Sequence, residues 1–210
     1  MIERGHSAGC PVATLRRVFA ALDAGVEIQV SWRGGELDRV LDRRHADLVG
    51  LTVVLLRRYG WLTELEVTYS QFGERGSIDV LGWRPTARSL LVVETKSEIV
   101  SVESTLRKLD EKVRLAGSIG SERMAWPQGS GPLAISRLII LPATRTEYRR
   151  VDRHSALFDQ ACPMRGAAVR RWLRKPIGTM AGLLFVTDTN EARTPGDSDN
   201  SGGRRARARA

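Results

Sequence analysis

Two short runs decide the fold: Gly76-Ser77-Ile78-Asp79-Val80-Leu81 and Leu91-Val92-Val93-Glu94-Thr95-Lys96. Side chains of an extended strand alternate between its faces, so Leu90, Val92, Glu94 and Lys96 share one face of the second run. That face is apolar until it ends in a carboxylate and an ammonium. Charges on the core side of a strand are costly unless something pairs or uses them. Between the runs, Arg84-Pro85-Thr86-Ala87-Arg88 breaks the pattern and is of hairpin size. With Pro85 to Arg88 as the loop, Arg84 faces Ser89 and every facing pair of residue numbers sums to 173. Trp83 then faces Leu90, Leu81 faces Val92, and Asp79 faces Glu94. Apolar meets apolar along the whole face. The next register that keeps the faces matched shifts by two residues and still leaves the acids diagonal neighbours. Directly opposed residues have Cβ atoms about 5 Å apart, which forces two like charges together. Three solutions exist: one acid is protonated, a cation such as Lys96 lies between them, or a divalent metal binds both.

Working outward, Glu36 to Tyr59 reads as a long amphipathic helix, with Leu37, Val40, Leu41, Leu48, Leu51 and Leu55 on one stripe and Gly60 as its stop. Leu62–Ser70 alternates Glu64, Glu66 and Thr68 with Leu65, Val67 and Tyr69, and forms the first of three strands with Ser77–Trp83 and Ser89–Lys96. Glu103 to Ala116 is helical again. The Gly/Ser/Pro-rich stretch from Gly117 to Pro132 reads as a surface loop. Arg137–Leu141 is a short strand ended by Pro142, Val151–Lys175 is mostly helical, and Gly182–Thr187 is a buried strand. The order α-β-β-β-α-β-α-β makes an α/β domain over residues 36–188. Residues 1–35 are an extension, with a helix at Ala13–Leu22 and a short strand at Val26–Trp32. Residues 189–210 are polar, then Arg-Ala repeats, and read as a disordered basic tail.

The charge is unevenly placed. The chain has 210 residues and a net charge of +9. Up to Ser136 there are 18 Lys/Arg against 17 Asp/Glu; from Arg137 to Lys175 there are 10 against 3; residues 201–210 hold four arginines and no acid. A nearly neutral part thus carries a basic segment and a basic tail, the distribution of a phosphate-binding surface on a neutral core. A solvated basic helix with a solubilising tail has the same sums. The longest nearly apolar stretch, Val49 to Leu56, is far short of the roughly 20 residues that span a bilayer. Residues Met1-Ile2-Glu3 start no signal peptide. Cys10 and Cys162 match neither a disulfide framework nor a zinc knuckle and suit a reducing cytoplasm. Cys10 with His6, and the isolated His154, have no metal-site spacing.

The hairpin acids make a reaction centre if a metal joins them. Two carboxylates with phosphate and water suit Mg²⁺ (or Mn²⁺), and Lys96 on the same face could orient or deprotonate a water or stabilise charge on phosphorus. In Asp79 followed by Glu94-Thr95-Lys96, on these elements and in this order, the chain resembles the restriction-endonuclease-like PD-(D/E)xK nuclease superfamily. The resemblance covers about residues 36–141. Gly76-x-x-Asp79 with Val93-Glu94-Thr95-Lys96 is most similar to its Holliday-junction-resolvase and Mrr-like branches. It implies an α-β-β-β-α-β core with a mixed central sheet flanked by helices, a metal at Asp79 and Glu94, catalysis by these two and Lys96, and DNA as partner.

The family's Pro is replaced by Ile78, and the acid that the first helix sometimes adds has Asp38, Asp42 and Asp47 as candidates. Asp42 and His45 lie on the polar side, the ordinary place of solvated residues. Relatives use the helix after the third strand to hold a phosphate or steady the centre, a role open to Lys112 and, less so, to Lys108 beside it; a solvated face is the alternative. Glu64 and Glu66 could add a metal contact or simply face water, and Glu74 sits in the preceding turn. Arg149, Arg150, Arg153, Arg170, Arg171, Arg174 and Lys175 are the expected DNA-backbone contacts. Thr14 to Asp23 also resembles the last helix of Xre-type helix-turn-helix domains, which precede such nuclease-like domains in actinobacteria; the recognition helix is missing. These readings give a metal-dependent DNA endonuclease, in many relatives a homodimer. The alternative is an inactive nuclease-fold module that binds DNA or regulates.

Overall fold

A computed structural model describes residues 11–22, 35–124, 126 and 131–187. The chain divides into two compact units, Met1–Arg39 and Val40–Ala210. In the first lies helix α1 (Val12–Ala20). The expected strand Val26–Trp32 and the tail 189–210 lie outside the described residues, as do Cys10 and His6.

The second unit takes in helix α2 (Gly35–Arg58) from Val40 onward. Strands β1 (Leu62–Gln71), β2 (Glu74–Arg84) and β3 (Ser89–Thr95) follow, with a 3-10 turn over Pro85–Ala87. Next come α3 (Val102–Met124), β4 (Ala134–Pro142), α4 (Arg145–Arg153), α5 (Ser155–Ala161), β5 (Met164–Arg165), α6 (Gly166–Arg174) and β6 (Ala181–Val186). The strands form one six-stranded mixed sheet in the order β1-β2-β3-β4-β6-β5. The first three are antiparallel, as hairpins make them; β3, β4, β6 and β5 are parallel. The architecture is α/β, as the element order implied.

Central strand β3 is buried along its whole length, which is why it reads as a continuous apolar run. Leu90 and Val92 join one core with Leu109, Ala116 and Ile119 of α3 and Val151 and Phe158 beyond it. Leu91 and Val93 join the other, with Leu48, Leu55 and Leu56 of α2 and Val169, Trp172 and Leu173 of α6. Helices α3, α4 and α5 therefore cover one face of the sheet, and α2 and α6 the other. The β2–β3 register is the expected one: Arg84 faces Ser89, Trp83 Leu90, Leu81 Val92 and Val80 Val93.

One segment departs from the sequence reading and another is subdivided beyond it. The stretch expected as a loop from Gly117 is helical as far as Met124. Gly120 makes room for packing: a Cβ there would come 2.5 Å from the ring of Trp126, which lies 5.0 Å from Trp83 between ring centroids. Burial of that indole outweighs the weak helix propensity of glycine. The segment Val151–Lys175 is mostly helical, as expected, and is divided among the end of α4, α5 and α6 with the short strand β5 between them. Pro163 disfavours the helical conformation at Cys162, and Met164 and Arg165 then pair with Gly182 and Leu183 of β6. Helix α4 also starts earlier than expected, because the Thr144 side chain accepts the Glu147 N–H at 3.3 Å.

Candidate functional site

The hairpin loses its regularity at the residue that matters. Strands β1 and β2 keep one register from Leu62↔Trp83 to Gln71↔Glu74, yet Glu66 and Asp79, which would face each other, do not pair. Glu66 has φ 46, a left-handed backbone that a side-chain-bearing residue rarely adopts. The faces switch there. Ile78 and Leu81, three apart, lie in the same core, while Val80 lies in the opposite one. The β2–β3 ladder ends at Val80↔Val93, and its next backbone donor, the Thr95 N–H, is taken by a side chain: Asp79 Oδ2 accepts it at 2.7 Å and the Thr95 hydroxyl at 2.9 Å.

Asp79 and Glu94, expected to face each other, do not pair in the ladder, but the two carboxylates lie against one cation. It is Lys112 of α3, not Lys96. Lys112 Nζ donates to Glu94 Oε2 and stands 3.7 Å from Asp79 Oδ1, while Lys96 Nζ meets Glu94 Oε1 at 2.7 Å. The side chains are 1% exposed for Glu94, 8% for Lys112, 13% for Asp79 and 35% for Lys96, so Lys96 is the member that faces solvent. Burial works against the charge on Lys96, but the attraction and hydrogen bond of Glu94, with Asp79 beyond, outweigh it and raise its pKa above the ordinary lysine value. It is an ammonium suited to stabilising negative charge rather than to taking a proton.

The rim is polar. Tyr69 donates its hydroxyl to Glu111 Oε1 at 2.8 Å, and burial together with Glu111 raises the phenol above its usual range. The Tyr69 ring lies across Gly76, where a Cβ would come 2.4 Å from the hydroxyl, so the glycine of the Gly76-x-x-Asp79 motif admits the aromatic ring. Tyr69 and Thr95 were not singled out from the sequence. Thr95 could have been, since it follows Glu94 at the end of a buried strand.

The two other accessory residues stay apart. Among the described residues no group of three His, Cys, Asp or Glu is placed to hold a metal, so neither Asp42 nor Glu64 completes the pair. Asp42 is exposed on α2, whose core residues pack on the far face of the sheet from α3. Glu64 is half-exposed on edge strand β1, opposite Leu81. Asp47 lines a different cleft, with Arg44, Glu98 and Thr144. The donor set still fits a hard divalent cation in kind, because Mg²⁺ is held by one or two carboxylates and completes its shell with water and phosphate.

The basic segment does not build one surface. Arg149, Arg150 and Arg153 are on α4, over the face that carries the acids; Arg170, Arg171, Arg174 and Lys175 belong to or follow α6, on the other face. Arg150 is engaged by Glu98 at 2.8 Å and Glu147 at 2.6 Å, and Arg174 lies over the Tyr59 ring at 5.5 Å. Arg149, Arg153, Arg171 and Lys175 are exposed. No described helix is long and apolar enough to cross a membrane. Compared with models of known protein families and with curated proteins, the chain matches none.

Proposed function

We propose that this chain is a metal-dependent DNA endonuclease of the restriction-endonuclease-like kind, hydrolysing phosphodiester bonds. The observation that carries the reading is the convergence of Asp79 and Glu94 with two ammoniums at the end of the β2–β3 hairpin, half-open to solvent through Lys96. Asp79 and Glu94 hold the metal. A bound Mg²⁺ or Mn²⁺ supplies polarisation of the phosphodiester and a water made acidic by coordination. Thr95 fixes Asp79 through two hydrogen bonds, Lys96 stabilises charge on the substrate, and the exposed arginines of α4 hold the backbone on the same face of the sheet. One such site serves one strand, so double-strand cleavage requires a homodimer. The buried free thiol of Cys162 fits a reducing cytoplasm.

The test is conversion of supercoiled plasmid with Mg²⁺ or Mn²⁺. Wild type gives nicked and, as a dimer, linear product; Asp79→Ala and Glu94→Ala lose at least about a hundredfold, as for removal of a principal electrostatic group. Equal activity in all three would sink the assignment. A second reading, a nuclease-fold module that binds DNA or regulates without cutting it, is favoured by the pairing of both carboxylates with protein ammoniums and with Thr95. It requires DNA affinity that changes neither with metal nor with Glu94→Ala.

A further inference from the structure

We propose that Lys112 is an exchangeable counter-ion: its ammonium occupies the place between Asp79 and Glu94 that a divalent cation takes, and it leaves when the cation arrives. The inference rests on the metal-dependent reading above and adds a regulated exchange to it. All four carboxylate oxygens are already engaged. Asp79 Oδ2 holds Thr95, Asp79 Oδ1 faces Lys112, Glu94 Oε1 holds Lys96 and Glu94 Oε2 holds Lys112. Two carboxylates and two ammoniums also cancel. A divalent cation added with nothing removed would leave a double positive charge around a glutamate that is 1% exposed and a lysine that is 8% exposed. The penalty for such buried, uncompensated charge is several kcal/mol per ion.

One ammonium must therefore withdraw, and the geometry points to Lys112. Among the described residues Lys96 pairs with Glu94 alone and already faces solvent, whereas Lys112 contacts one acid and stands near the other. Its four-carbon stem lets the head swing while α3 stays in place. A freed ammonium beside the site is a partner for an anionic substrate, so metal loading and substrate capture become linked through one side chain.

The experiment titrates the full-length protein with Mn²⁺ by calorimetry. Lys112→Met is expected to bind Mn²⁺ at least about tenfold more tightly than wild type, within the range of coupling between competing ligands, and Lys96→Met to gain less. A gain for Lys96→Met as large as that for Lys112→Met, or none for Lys112→Met while wild type binds, overturns the exchange and leaves the metal reading intact. Failure of both wild type and Lys112→Met to bind overturns both. Wild type gives an independent readout by acetylation footprinting: Lys112, buried without metal, becomes several-fold more reactive when Mn²⁺ is added. Unchanged reactivity on binding overturns the exchange, and this measurement decides alone should Lys112→Met not fold.

Discussion

Glu94 is the residue on which the site's charge balance turns, because both ammoniums lean on it. Glu94→Gln leaves the buried Lys112 with Asp79 alone, at 3.7 Å, and is expected to lower stability by roughly 3–5 kcal/mol in urea denaturation, as when a buried ion pair loses one partner. Asp79→Asn keeps an oxygen for Thr95 and leaves the Lys112–Glu94 pair whole, so its loss should stay near about 1.5 kcal/mol. The reverse order would contradict this division of labour. Cys162 offers a pH test far from the site. Its thiol is fully buried, and burial pushes its pKa up to about 11 from 9.0. The folded state thus holds a proton that the unfolded state releases, and the stability present below pH 9 is lost as the pH rises through the folded value. That difference between the folded and unfolded thiol amounts to roughly 2–3 kcal/mol. Between pH 8.5 and 11 Cys162→Ala should lose less stability than wild type by about that amount.

At the level of elements, the β2–β3 hairpin was legible because the four-residue turn and the alternation agree on one register, and the two-residue shift that also keeps the faces matched still leaves Asp79 near Glu94. Helix α3 was legible only as far as Ala116. The rest of it is helical because Trp126 returns to lie on Gly120 and Trp83, a contact that no local propensity encodes. Gly120→Ala gains about 1 kcal/mol of helix propensity but displaces the indole, a loss of about 2–3 kcal/mol of buried aromatic surface. Net destabilisation with a red shift in tryptophan emission is expected, the shift being absent in a Trp126→Phe background. A stabilised protein with unchanged emission would show that the ring does not pack there. The start of α4 could have been read from Thr144 and Glu147, which have capping-box spacing. In the fold Glu147 is turned inward instead, accepting the Ile99 N–H at 3.3 Å.

The whole molecule divides the basic segment that the sequence joins. Because α4 and α6 pack on opposite faces, their arginines meet different surroundings despite their nearness in the chain. If DNA lies over the acids, Arg149→Glu with Arg153→Glu weakens binding and flattens its salt dependence, while Arg171→Glu with Lys175→Glu changes both less. Each lost phosphate contact lowers the slope of log affinity against log salt by about 0.9 for duplex DNA. Equal effects from the two pairs would place the nucleic acid elsewhere.

The sequence by itself determined the α/β order, the hairpin register and the meeting of Asp79 with Glu94, since alternation and turn length are properties of neighbours along the chain. Only the tertiary structure decided which cation keeps the two acids together. Lys112 is brought to them by the packing of α3 across β3; in sequence it was a candidate only through the family resemblance, with a solvated helix face as the alternative. The same packing separated the arginines and left out Asp42 and Glu64. Electrostatic partners are set by distance in space, and that distance follows from how apolar faces are buried, which charge patterns along the chain do not record.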